Sequence, residues 1–210
     1  MAAIYQETAE RTVLRNVGWD TYIGLLRDHE QSSTPRFTYD RGTLEIMSPL
    51  PEHERYAQLI ELLVAVSAEE LGIEVYSLGS TTFRREDLLR GFEPDACFYI
   101  QHEADIRGKG RLDLHVDPPP DLVFEVDITH SSLDKLEIYA PLRVPELWRF
   151  NGSRFAIMAR ADEGYVERSR SHVLPAMTSA ALASLLRENS GMSNVAWMRH
   201  VRAWIRTVRR

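Results

Sequence analysis

"PPPDLVFEVDITHSSLDKLEIYA", residues 118–140, reads as a strand that hands over to a helix. Leu122, Val123, Phe124, Val126 and Ile128 have the length and composition of a short buried strand, bounded by prolines before it and a polar turn after it. Glu125 and Asp127 interrupt that strand. A carboxylate in a dry strand is costly unless something pairs with it. Side chains alternate along a strand, so the two acids share one face, about 6.5 Å apart, while Phe124, Val126 and Ile128 share the other. One face is therefore expected to pack on the core and the other to present the acids. Thr129-His130-Ser131-Ser132 ends the strand, where a serine suits the cap of the next helix. Asp134 and Lys135 fall in that helix's first turn, and Lys135 is one of only two lysines.

Upstream, "EPDACFYI" at 93–100 is a second strand, led by Asp95 after Pro94. If the two strands are neighbours, Asp95, Glu125 and Lys135 converge on one cleft. The polar stretch 101–117 between them is long for a connection, which predicts a functional or mobile loop. Residues 73–85, "IEVYSLGSTTFRR", read as one strand, irregular at Gly79, and "LLRGF" at 88–92 as a turn. The first 30 residues read as helical, with Trp19, Tyr22, Leu25 and Leu26 on one face. "RFTYDRGTLEIMS" at 36–48 is a hairpin turning at Asp40-Arg41-Gly42. Pro51 opens a long helix over about residues 52–71, striped by Tyr56, Leu59, Ile60, Leu63 and Val66 and ended by Gly72.

Downstream, "PELWRFN" and "RFAIMAR" flank the hairpin turn Asn151-Gly152, and "GYVERSR" adds a further strand. Two helices follow, at about 178–189 and 193–207. Hairpins combined with one strand–helix crossover predict an α/β layer with a mixed sheet. Trp148 reads as core.

The chain has 210 residues, a net charge of −6 and one cysteine, Cys97, so it has no internal disulfide and no cysteine-rich zinc site. The N-terminal stretch carries acids and arginines where a signal peptide would be apolar, and no run is long enough for a membrane helix. A cytoplasmic protein is the expectation. The acidic balance argues against coating nucleic acid by bulk charge, though a local basic groove remains compatible with it. "FRREDLLRG" and "IRGKGR" are the better candidates for such a groove, because both flank the strand bearing Asp95. The arginine-rich tail reads rather as a packed amphipathic helix.

Two carboxylates on adjacent strands are hard oxygen ligands suited to Mg²⁺ or Mn²⁺. A metal held there polarises a phosphate, and a nearby ammonium stabilises developing charge. It would also offset the cost of the clustered acids. Blander readings stand beside these. The lesser reading makes Asp95 a turn residue after proline and Glu125 a buried acid paired with an arginine. Asp127 is a third ligand, an outer hydrogen-bond acceptor or a strand-end turn residue. Lys135 is a solvated partner of Asp134 or Glu137, and Tyr139, one turn on, reads as core. His102, His115 and His130 form no metal-ligand spacing.

The strings "EPDACFYI", "PPPDLVFEVDITHSSLDKLEIYA", "VPELWRF" and "DRGTLEIMSPLPEHERYAQLIELL" together resemble the Uma-type family of restriction-endonuclease-like proteins, within the PD-(D/E)XK nuclease superfamily. The resemblance spans roughly residues 15–175 of a single 1–210 domain, leaving 176–210 as a helical extension. It implies a restriction-endonuclease-like mixed sheet flanked by helices, with Asp95 and Glu125 as metal ligands, and an Mg²⁺-dependent endonuclease acting on nucleic acid, DNA first. It also implies a homodimer. The superfamily's usual lysine would fall at position 127, where this chain has Asp127, which makes Lys135 the substitute. The superfamily's helix-borne acid maps to Glu54, with His53 beside it. A nucleic-acid-binding protein that does not cleave, or an interaction protein with a structural charge cluster, is the alternative on the same scaffold.

Overall fold

The computed structural model describes residues 10–32, 34–128, 133–189 and 191–209. In chain order, β1 (Arg11–Leu14) precedes α1 (Trp19–Asp28), the hairpin β2 (Arg36–Asp40) and β3 (Thr43–Met47), and the long α2 (Pro51–Leu71). Then come β4 (Tyr76–Ser77), β5 (Phe83–Arg85), β6 (Arg90–Phe92), β7 (Ala96–Tyr99) and the short α3 (Glu103–Ile106). β8 (Leu122–Val126), α4 (Lys135–Tyr139) and β9 (Glu146–Phe150) form the crossover. β10 (Phe155–Ala161), β11 (Gly164–Arg168), α5 (Ser179–Glu188) and α6 (Asn194–Val208) complete the described chain.

The strands form two sheets. One runs β1-β3-β2-β6-β5 and the other β11-β10-β9-β8-β7-β4. Every pairing is antiparallel except β8 with β9, which α4 connects in parallel, so the second sheet is mixed as expected. On one of its faces, Phe124 and Val126 join Leu59, Ile60 and Leu63 of α2, Leu182 and Leu186 of α5, and Trp197 and Ile205 of α6. On the other, Val123, Cys97 and Leu147 meet Ile138 and Tyr139 of α4, with Phe83 and Phe92 from the first sheet. Tyr22 of α1 packs on Phe37, Tyr39 and Leu44.

Several local expectations are corrected. Arg11–Leu14 pairs with β3 instead of being helical, because its alternating burial suits an edge strand. "LLRGF" supplies β6, and "IEVYSLGSTTFRR" splits into β4 and β5, which belong to different sheets. Gly79, at φ +54°, lies between them in the left-handed region that a glycine adopts freely. The 101–117 connection contains α3. The expected serine cap lies outside the described residues; Asp134 itself caps α4, accepting from the Leu136 amide. Most consequentially, β8 is buried on both faces. The acid-bearing face is covered by α4 and by the edge of the other sheet.

Candidate active site

Glu125 lies on the β8 face that Val123 shares and is 1% exposed. Its Oε2 accepts from the Lys135 ammonium and its Oε1 from the Tyr139 hydroxyl. Lys135 is the first residue of α4 and Tyr139 lies four residues on, so one helix face delivers both donors. Burial pushes the Glu125 carboxyl up to about 7; Lys135 opposes that rise and the neighbouring charge of Asp95 adds to it. Burial works to lower the Lys135 ammonium, but Glu125 and then Asp95 outweigh it, leaving its pKa raised.

Asp95 immediately precedes β7. The antiparallel register sets Ala96 against Phe124, so one step further places Asp95 opposite Glu125. Its Oδ2 accepts the Val126 amide at 2.6 Å and its Oδ1 accepts from Arg36. Arg36 opens β2, in the other sheet, and its second amino group reaches Glu54 Oε1 at 2.5 Å. Glu54 and His53 lie in the first turn of α2. His53 is 1% exposed, and among the described residues neither ring nitrogen has a hydrogen-bond partner. Burial lowers its pKa, while Asp95 pulls the other way. Two sheets and two helices thus meet at one charged cluster, through Arg36, Asp95, Glu125, Lys135, Glu54 and His53.

Asp127 stands apart from this cluster. Its carboxylate takes the Arg149 Nε at 2.6 Å and its amide donates to the Phe150 carbonyl at 2.7 Å, beside a cleft of about 700 Å³ that Lys135 also lines. Lys135 pairs with neither Asp134 nor Glu137; it is drawn inward to Glu125. His102 bonds Asp121 at 2.6 Å and His115 lies 3.6 Å from Asp87, while His130 lies outside the described residues. Arg36 and Tyr139 are the functional candidates that sequence reasoning passed over. Tyr139 carried a signal, its helical spacing from Lys135. Arg36 carried none, since a strand's first arginine is ordinarily solvated.

Among the described residues, each oxygen of Asp95 and Glu125 accepts one hydrogen bond and keeps a second acceptor position. Among the described residues, no three His, Cys, Asp or Glu side chains are arranged to enclose a metal ion. Two facing carboxylates fit a hard cation that retains most of its water, which is the habit of Mg²⁺. The unpartnered His53 ring is a buried polar group that a water of such a shell could satisfy.

A family model described as "Putative restriction endonuclease", Uma2, matches residues 19–186. The chain belongs to the Uma2 family. A crystal structure of "a putative nuclease belonging to DUF820" from Anabaena variabilis ATCC 29413 is similar over 90% of this chain and 99% of that one, at 13% identity and a TM-score of 0.48. No curated protein matches. The Uma2 match takes in every element of the cluster, from β2 to α4. Among the described residues no helix is long and apolar enough to cross a membrane.

Proposed function

We propose that the chain is a metal-dependent nuclease that hydrolyses phosphodiester bonds of nucleic acid, DNA first, at the Asp95–Glu125–Lys135 cluster. The observation that carries this reading is the juxtaposition of Asp95 and Glu125 across β7 and β8, with the Lys135 ammonium on Glu125. The two carboxylates would hold Mg²⁺ or Mn²⁺; the bound ion would polarise a phosphate and make a water more acidic. Asp127, tied to Arg149, belongs to the cleft beside them and orients that arginine. Tyr139 and Arg36 fix the rotamers of Glu125 and Asp95. Lys135 stabilises charge that develops on the phosphate. Glu54 holds Arg36 from α2, and His53 offers a neutral ring to a bound water. Cutting both strands of a duplex calls for two such sites and hence two copies of the chain.

Calorimetric titration of Mn²⁺ into wild type, Asp95→Ala and Glu125→Ala tests the reading. Binding to wild type that disappears in both variants is expected. Cleavage of DNA and RNA should then fall by about 10²-fold or more in Lys135→Ala. A wild-type protein that takes up no Mn²⁺ would sink the proposal. One observation favours a second reading: Arg36 and Lys135 already neutralise Asp95 and Glu125 from within. On that reading the cluster is structural and the chain binds nucleic acid, or another protein, without cutting. Loss of stability in Asp95→Ala and Glu125→Ala, with no Mn²⁺ uptake by wild type, would select it.

A further inference from the structure

A second groove, of about 660 Å³, opens between α1, the start of β2, β5 and the 110–114 segment. Arg27 of α1, Arg84 of β5 and Arg111 line it, all three exposed. Most of the arginines around the candidate site are engaged: Arg36 with Asp95, Arg85 with Asp87, Arg90 with Asp40, Arg107 with Glu103 and Arg149 with Asp127. Among the described residues, the guanidinium groups of Arg27, Arg84 and Arg111 have no ion pair and no hydrogen bond. Three segments far apart in sequence therefore bring three uncompensated guanidiniums to one concavity. Two carboxylates also line it, Glu30 and Glu93. Glu93 is turned to the Thr82 hydroxyl at 2.8 Å and the Phe37 amide at 3.3 Å, and burial makes it easier to protonate. The balance at the groove is cationic in a chain whose net charge is −6.

The groove adjoins the charged cluster. Glu93 lines it and feels the charge of Arg36, whose guanidinium holds Asp95, two residues beyond Glu93, and both Arg36 and Asp95 line the cavity at the cluster. We infer that this groove holds the sugar–phosphate backbone of the nucleic acid, with Arg27, Arg84 and Arg111 each on a phosphate, and so sets where the chain lies relative to Asp95 and Glu125. Guanidiniums grip phosphates through paired, directed N–H groups, and such contacts position a strand without reading its sequence. The inference rests on the nuclease reading only for its orientation toward the cluster. Backbone binding at the groove stands or falls separately.

The test is binding of a labelled mixed-sequence DNA duplex, and of an RNA of the same sequence, by fluorescence anisotropy over a salt series. Chelator is present, so cleavage does not intervene. The slope of log K against log salt counts phosphates neutralised, at about 0.9 per contact on duplex DNA. The Arg27→Ala/Arg84→Ala/Arg111→Ala variant should bind more weakly and lose up to about 3 from that slope, with its melting temperature unchanged. Arg187→Ala, an exposed arginine on α5 away from the groove, should behave as wild type. A triple variant with an unchanged slope, or a wild type that binds neither nucleic acid, overturns the inference. If wild type cleaves and the triple variant keeps its slope, the groove is wrong and the nuclease reading survives. If the slope drops but wild type never cleaves with Mn²⁺, the groove is right and the nuclease reading fails.

Discussion

Two buried glutamates show how much a residue's neighbours decide. Glu146 is as buried as Glu125, but Trp148, Ser171 and the His172 amide supply neutral donors to it, at 2.7, 2.6 and 2.7 Å. Glu125 instead faces an ammonium and a second carboxylate. Its folded pKa of about 7 lies above its ordinary 4.5, so folding takes up a proton between those values. The group's contribution to stability is complete below about pH 4.5 and is lost as pH rises through about 7. His53, whose pKa is lowered by burial, works in the opposite sense: its contribution is present above its ordinary 6.5 and is lost as pH falls. Comparison with Glu125→Gln isolates the first effect. Wild type should lose stability relative to that variant as pH rises from about 4.5 to about 7, read from urea midpoints. Wild type gaining stability relative to that variant as pH rises would instead show that Lys135 holds Glu125 ionised throughout.

At the scale of elements, the contact of α1 with the five-stranded sheet turns on one glycine. A Cβ at Gly91 would lie 2.0 Å from the Tyr22 hydroxyl oxygen and 2.6 Å from its ring carbon. Tyr22 is fully buried and stacked on Tyr39 with ring centroids 4.9 Å apart, so it has nowhere to yield. Gly91→Ala should cost about 1–3 kcal/mol by overpacking, measured by denaturant unfolding. Adding Tyr22→Phe should recover only part of that, because the ring carbon stays in the way. Tyr22→Phe alone should be close to neutral, since the hydroxyl it removes is buried without a partner. Gly91 falls in a stretch that reads as a turn from sequence. Its place in β6 depends on Tyr39 across the sheet, which no local pattern near residue 91 reports.

Across the whole molecule, α5 and α6 build part of the principal core. Trp197, Val201 and Ile205 are fully buried against α2 and the mixed sheet, and the Trp197 indole donates to the Leu59 carbonyl at 2.9 Å. Ending the chain before Asn194 should therefore abolish cooperative unfolding, seen as a lost thermal transition by circular dichroism. Retention of a sharp transition would mean that α2 and the sheet are stable without that cover.

The sequence by itself determined the strand–helix–strand crossover, the hairpins at Asp40-Arg41-Gly42 and Asn151-Gly152, the long α2 and the placing of Asp95 and Glu125 on two strands, whose pairing it left conditional. Each of these follows from periodicity, turn chemistry or a charge inside an apolar run, and such signals are local. Only the tertiary structure decided that the acid face of β8 is buried, that Arg36 from another sheet neutralises Asp95, and that Arg27, Arg84 and Arg111 share a groove. The reason is physical: a strand's pattern says which side chains share a face, but what covers that face is set by elements distant in the chain. The charge balance at Asp95 and Glu125 belongs to that cover.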